Sequence, residues 1–91
     1  MSPKENELAP QRQRIDEIDE QILDLLTERK QIVGEVIDKK IENQLPIFAP
    51  RREDEKTINF RKMAEERNLD SDWAEDFLRM IIAASRASQS T

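Results

Sequence analysis

The chain has 91 residues, which corresponds to one small domain. Cysteine and histidine are absent and glycine occurs once, so disulfides, thiol or imidazole catalysis, ordinary zinc sites and glycine-rich phosphate loops are excluded. The net charge of −5 has the wrong sign for binding a nucleic-acid backbone, and the longest apolar run, at 80–84, is too short to cross a membrane. The composition therefore predicts a cytoplasmic, helix-rich domain that binds neither nucleic acid nor membrane.

One helical pattern dominates the N-terminal part of the chain. Residues 1–9 show no periodicity and are predicted to be a flexible tail before a helical domain at 10–91. Over 15–36 apolar residues recur at three- and four-residue spacing, with acidic residues on the opposite face. Pro10 suits the first turn of a helix. The pattern therefore predicts a single long helix over about 10–42.

Two shorter helices are predicted after a loop. Residues 43–50 contain two prolines and are predicted to be irregular. The second helix is expected over about 50–67, since Asn68 breaks its pattern.

The third helix carries its own start signals. Asp70, Ser71 or Asp72 can cap it, and Glu75 stands at the capping-box spacing from Asp72. We expect this helix to end near Gln89. Its apolar stripe is predicted to consist of Trp73, Phe77, Met80, Ile81 and Ala84.

The predicted fold is all-α, with one long helix and two short ones. A helix of ~33 residues is ~50 Å long, whereas a compact domain of this size has a radius of gyration of ~13 Å. Two short helices leave much of the long apolar stripe uncovered within a single chain. We therefore expect a homodimer whose core is shared between the chains. A coiled-coil spacer is the alternative, for which short helices broken by proline are poorly suited.

Positive charge falls on the apolar face of the long helix. Arg29 occupies the seam, with Lys40 on the same side and Arg12 at the border, and Arg52 lies in the first turn of the second helix. A buried charge without a partner is costly, so packing alone does not explain these positions. Either each cation snorkels or pairs with a carboxylate such as Glu28 or Glu53, or together they line an internal pocket for an anion. The spacing leaves both interpretations open.

Most of the chain, from about Leu8 to Gln89, resembles the all-helical class of chorismate mutase. The segments that carry the resemblance occur in the same order and almost without gaps. They are RIDEIDEQILDLLTERKQIVGEV at 14–36, Lys40, LPIFAPRRE at 45–53 and DFLRMIIAASRASQ at 76–89. The last two look most like the mutase domain of fused chorismate mutase/prephenate dehydrogenase enzymes, and both a stand-alone mutase and a domain of such an enzyme fit the sequence.

The resemblance implies a fold, an assembly and a reaction. Members of this class form intertwined dimers of three-helix chains, and each of the two active sites uses residues from both chains. The implied reaction is the rearrangement of chorismate to prephenate, an isomerisation in the biosynthesis of phenylalanine and tyrosine. This pericyclic shift requires no nucleophile, metal or cofactor, which suits a chain without cysteine or histidine.

The family motif also assigns catalytic roles to Lys40, Gln89 and Arg29 of this chain and a substrate-binding role to Arg12. Lys40 and Gln89 would donate hydrogen bonds to the ether oxygen of chorismate, and Lys40 would also contact a carboxylate. Arg29 would bind a carboxylate within its own chain. Arg12 would reach the other carboxylate from the partner chain.

The remaining assignments concern substrate binding. Arg52 would bind the carboxylate end of the substrate or order the pocket. Glu53 would accept a hydrogen bond from the ring hydroxyl, and Ser85 would support a carboxylate. Val36 and Ile82 would form apolar walls.

Three positions depart from the family pattern. Ala49 stands where many members have Asp, at a contact made by the backbone. Lys56 and Arg86 occupy positions near the pocket that are usually apolar. These two cations are expected either to alter the fit of the substrate or to lie in solvent.

Three other functions are compatible with the same helices. Isochorismate-pyruvate lyase shares the scaffold and the cationic pocket. A catalytically silent domain for dimerisation or regulation is the second alternative, although Arg29, Lys40 and Gln89 are all present. The third is a generic helix-pairing module, for which Arg29 in the seam is a poor choice.

Overall fold

The computed structural model describes residues 3–89, and the side chains of residues 4–86. Its helices are α1 (Pro3–Asn6), α2 (Ala9–Glu42), α3 (Pro50–Glu66) and α4 (Ser71–Gln89). No strand occurs between residues 3 and 89, so the predicted all-α fold is confirmed. Within the same range, none of the helices combines the length and the apolar character needed to cross a membrane.

The three predicted helices correspond to α2, α3 and α4, and the segment predicted to be a tail contains the additional helix α1. The Glu5 carbonyl accepts a hydrogen bond from the Leu8 N–H at 3.0 Å, and the Leu8 carbonyl accepts one from the Arg12 N–H at 3.0 Å. A single helical turn contributes little stability by itself, because nucleation is costly. The flexibility expected of this segment stays a prediction.

The chain divides into two compact units, one up to Val33 and one from Gly34 onward. In the first unit Arg14 and Glu17 form an exposed ion pair, with 3.2 Å between Nη1 and Oε2. None of the residues of α2 is buried. Its exposed large apolar residues are Ile15, Ile18, Ile22, Leu23, Leu25, Ile32, Val36 and Ile41. The amphipathic stripe predicted for this helix is therefore present, and most of its large apolar residues are exposed.

In the second unit α3 and α4 pack against each other around two alanines and a leucine. Ala64 on α3 and Ala74 and Leu78 on α4 are buried. Ala74 and Leu78 lie one turn apart, so the buried face of α4 differs from the predicted stripe. Trp73 and Met80, two members of the predicted stripe, are exposed in the single chain.

The turn between α3 and α4 is built from two capping residues. Asn68 adopts the left-handed conformation with φ 58°, and the Leu69 N–H donates to the Ala64 carbonyl at 2.9 Å, which is the pattern of a Schellman motif. Asp70 then caps α4, because its Oδ1 accepts the Trp73 N–H at 2.9 Å. The helix boundary predicted at Asn68 is confirmed by this geometry.

An arginine on α3 connects the two helices beside this turn. The Arg61 guanidinium donates to Asp72 at 2.9 Å, to Glu75 at 3.1 Å and to the Ser71 hydroxyl at 3.2 Å. The hydrogen bond to Asp72 is the main cause that raises the pKa of Arg61 above its ordinary value. Glu75 also binds Arg79 at 3.0 Å. Of the three predicted capping candidates, Asp70 is the one that caps the helix. Asp72 and Glu75, which stand at the capping-box spacing, pair with guanidinium groups instead.

Candidate active site

Lys40 lies in the last turn of α2, where a positive charge interacts favourably with the helix dipole. Its side chain is half-buried, and Nζ donates to the Ile47 carbonyl at 3.0 Å. The Lys40 carbonyl accepts the Leu45 N–H at 2.8 Å, and Gln44 takes a left-handed φ of 55° to end the helix. Side chain and backbone of Lys40 are thus both bonded to the loop at 43–49.

Glu53 lies in the first turn of α3, where a negative charge is favoured by the dipole. The Glu53 N–H donates to the Ala49 carbonyl at 3.2 Å, and the Glu53 carbonyl accepts the Thr57 hydroxyl at 2.8 Å. The half-buried carboxylate forms an ion pair with Arg86 of α4. Its neighbour Arg52 is exposed.

Arg86 links three parts of the second unit. It belongs to the last turn of α4 and pairs with Glu53 at the start of α3. Its guanidinium carbon also lies 4.5 Å from the centroid of the Phe48 ring, within the range of a cation–π interaction. Phe48 directly follows Ile47, whose carbonyl binds Lys40. Lys40 and Glu53, two of the predicted site residues, are therefore connected through adjacent residues of one loop.

The C-terminal part of α4 carries the other predicted polar groups. Ser85 is half-buried, and its hydroxyl donates to the Ile81 carbonyl at 3.0 Å. Gln89 is the last residue of α4, one turn beyond Ser85 on the same helix face, and its side chain lies outside the described residues. Of the predicted apolar walls, Ile82 is half-buried and Val36 is exposed.

Arg12 and Arg29 belong to the first unit. Arg12 is exposed on α2, and Arg29 is half-buried, which agrees with its predicted place at the apolar seam. The other described candidates belong to the second unit. Their roles toward a substrate stay predictions. Among the described residues, no group of three or more acidic side chains is arranged to hold a metal ion.

The sequence predicted neither Phe48 as part of this site nor the contact between Arg86 and Glu53. The sequence does contain a signal for Phe48, because it is an aromatic residue between two prolines in a short loop. Arg86 was recognised as a cation at an unusual position, but its two partners are distant in sequence. Since they are brought together only by the packing of α3 on α4, spacing along one helix could not identify them.

Comparison with known proteins identifies the family. The family model described as chorismate mutase type II matches residues 11–90. The T-protein of Enterobacter agglomerans is 39% identical over 83 residues, which cover 91% of this chain and 22% of that protein. A protein of Methanocaldococcus jannaschii named chorismate mutase is 34% identical over 82 residues, covering 90% of this chain and 83% of the relative.

A bifunctional chorismate mutase/prephenate dehydratase of Buchnera aphidicola is 33% identical over 87 residues, covering 96% of this chain and 23% of that protein. The chain thus spans less than a quarter of the T-protein and of the bifunctional relative. No solved structure shows significant similarity to it. The resemblance inferred from the sequence segments is confirmed by the match over 11–90. The chain belongs to the chorismate mutase type II family.

Proposed function

We propose that this chain catalyses the rearrangement of chorismate to prephenate in the cytoplasm, as a step in the biosynthesis of phenylalanine and tyrosine. The observation that carries the proposal is the family match over 11–90, because that range includes every residue assigned to the site. The M. jannaschii relative, 83% of which is covered, is named a chorismate mutase. That name supports mutase activity for a chain of this length.

The proposed substrate explains why cations dominate the site. Chorismate is a dianion that rearranges only from a compact conformer, in which the two carbons that form the new bond lie close together. Guanidinium groups bind carboxylates through two parallel hydrogen bonds, which fix orientation as well as charge. Arg29 and Arg12 would hold the carboxylates and so select the reactive conformer.

The bond that breaks accounts for Lys40 and Gln89. As the C–O bond lengthens, negative charge develops on the ether oxygen, and a donor already aimed at that atom stabilises the transition state more than the ground state. Lys40 has three N–H donors, one of which is used by the Ile47 carbonyl. That bond holds the ammonium at the end of α2, so less side-chain entropy is lost when it is oriented toward the substrate.

We also propose that the active enzyme is a homodimer with two sites, each built from both chains. Support comes from the eight large apolar residues of α2 that are exposed in the single chain, because burying such a stripe is a main driving force for association. In this assembly Arg12 would come from the partner chain, and Arg29 and Lys40 from the same chain.

Product analysis tests the proposed reaction against its alternatives. The purified chain is incubated separately with chorismate and with isochorismate, without added metal or cofactor, and the products are identified by NMR against a protein-free blank. A mutase is expected to form prephenate from chorismate. Pyruvate and salicylate from isochorismate, with chorismate unchanged, would instead identify the lyase. Inertness toward both substrates would mean that the helical scaffold serves a binding or regulatory role.

A further inference from the structure

We propose that Arg86 is a positioning residue for Glu53, holding one oxygen of the carboxylate so that the other accepts the hydrogen bond of the substrate's ring hydroxyl. The inference rests on the proposed function and extends it to a residue that the family motif does not assign. Its basis is the joint contact of Arg86 with Glu53 and with the Phe48 ring.

The ion pair uses only part of the hydrogen-bond-accepting capacity of the Glu53 carboxylate. Nη2 of Arg86 contacts Oε1 of Glu53. A carboxylate has two oxygens with about four lone-pair positions, so pairing with one guanidinium nitrogen leaves it the capacity to accept a further hydrogen bond from a hydroxyl. The Glu53 side chain is 33% exposed, which leaves one side of it accessible to a ligand. Arg86 therefore restricts the orientation of the carboxylate without consuming its capacity to accept a hydrogen bond.

The charge of Arg86 also matters for a dianionic substrate. A lone carboxylate beside the pocket would repel chorismate, because like charges at short distance disfavour each other in a partly desolvated site. Pairing with Arg86 makes the local net charge close to zero while the acceptor oxygen is kept. This explains why a cation at a usually apolar position is compatible with substrate binding.

Besides its ion pair with Glu53, the Arg86 guanidinium contacts the ring of Phe48. The guanidinium carbon lies over the ring, 4.5 Å from its centroid, and a lysine ammonium reproduces such a contact only in part. Phe48 belongs to the loop whose Ile47 carbonyl holds Lys40. Arg86 is thus anchored to the same loop as the proposed catalytic ammonium, and its contact aligns Glu53 with respect to that loop.

The proposed effect is on substrate affinity more than on the chemical step. The ring hydroxyl is not an atom of the bond that breaks, so its hydrogen bond to Glu53 has similar strength in ground state and transition state. Loss of such uniform binding raises KM and leaves kcat nearly unchanged. Arg86→Ala is expected to raise KM by about two- to five-fold, the range that corresponds to the free energies measured for exposed ion pairs.

A double-mutant cycle tests the inference on the full chain. Initial rates with chorismate are measured for wild type, Arg86→Ala, Glu53→Ala and the double variant, with the urea midpoint recorded for each. We expect Arg86→Ala to raise KM in the wild-type background and to have no further effect once Glu53 is Ala. Arg86→Lys is expected to recover part of the loss. Arg79→Ala removes another α4 arginine paired to a carboxylate and should leave KM unchanged.

The outcomes separate this inference from the function on which it rests. An equal rise of KM in both backgrounds would mean that Arg86 acts on the substrate directly. A fall or no change in KM for Arg86→Ala would mean that it obstructs or ignores the site. Either result, with an active wild type, overturns the inference alone. A wild-type chain inert toward chorismate overturns the proposed function and the inference together.

Discussion

Replacing Lys40 with Ala is expected to lower kcat about 100- to 1000-fold, the loss observed when one preorganised donor to a developing anion is removed. The reason is that the Lys40 ammonium would stabilise charge that appears on the ether oxygen only as the C–O bond breaks. KM should change much less than kcat. Steady-state kinetics with chorismate measure both quantities directly.

Lys39 provides a matched control for this variant. It is the adjacent residue in the last turn of α2, and its side chain is exposed. Lys39→Ala changes net charge and helix composition equally but should retain nearly full kcat. Lys40→Ala also removes the bond to the Ile47 carbonyl, which should cost about 1 kcal/mol of unfolding free energy. Unchanged kcat in Lys40→Ala would exclude Lys40 from the mechanism.

The second large effect is expected for Arg29. Arg29→Ala should reduce kcat/KM about 100-fold or more, because truncating one partner of a desolvated ion pair costs several kcal/mol and leaves a substrate carboxylate without its counter-charge. The dimer should persist, since the side chain is only half-buried on α2. Kinetics with chorismate and sedimentation velocity measure the two properties independently.

Lys30→Ala is the matched control, because Lys30 is the neighbouring cation on α2 and is exposed. It should keep both turnover and assembly. If Arg29→Ala instead unfolds the protein while the folded fraction retains its specific activity, Arg29 is a structural residue. That result would favour the pairing interpretation of the cations over the anion pocket.

Local signals predicted the helices well. The long apolar repeat over 15–36 and the prolines around the loop lead directly to α2 and α3, since each signal acts within a few residues of the boundary that it determines. Asn68 marks the end of α3 because it tolerates the left-handed conformation that a Schellman motif requires. The same local reasoning failed for Glu75, whose partner Arg61 lies 14 residues away on another helix.

Tertiary packing decided what the sequence pattern could not. A hydrophobic stripe identifies which side of α4 is apolar, but not which part of it meets α3. The buried face of α4 contains Ala74 and Leu78, whereas Trp73 is exposed. The exposed apolar residues of α2 agree with the predicted uncovered stripe. The homodimer itself stays a prediction.

In the candidate site, too, local sequence predicts the positions of single residues, whereas contacts between segments depend on tertiary packing. Placing Lys40 near a helix end and Glu53 in a first turn requires only sequence spacing, and the structure confirms both positions. The contact between Arg86, Glu53 and Phe48 requires three segments to meet. No periodicity within one helix carries that information.

Mixing two variants that each lack a different proposed site residue tests most directly whether the chain forms a mutase site from two subunits. Arg12→Ala and Lys40→Ala are purified separately, then mixed in equal amounts after mild unfolding and refolded together. If Arg12 acts from the partner chain, each mixed dimer contains one intact site. Prephenate formation should therefore return to about a quarter of the wild-type rate for random pairing in a two-fold dimer. A mixture as inactive as its components, beside an active wild type treated identically, would contradict the shared site.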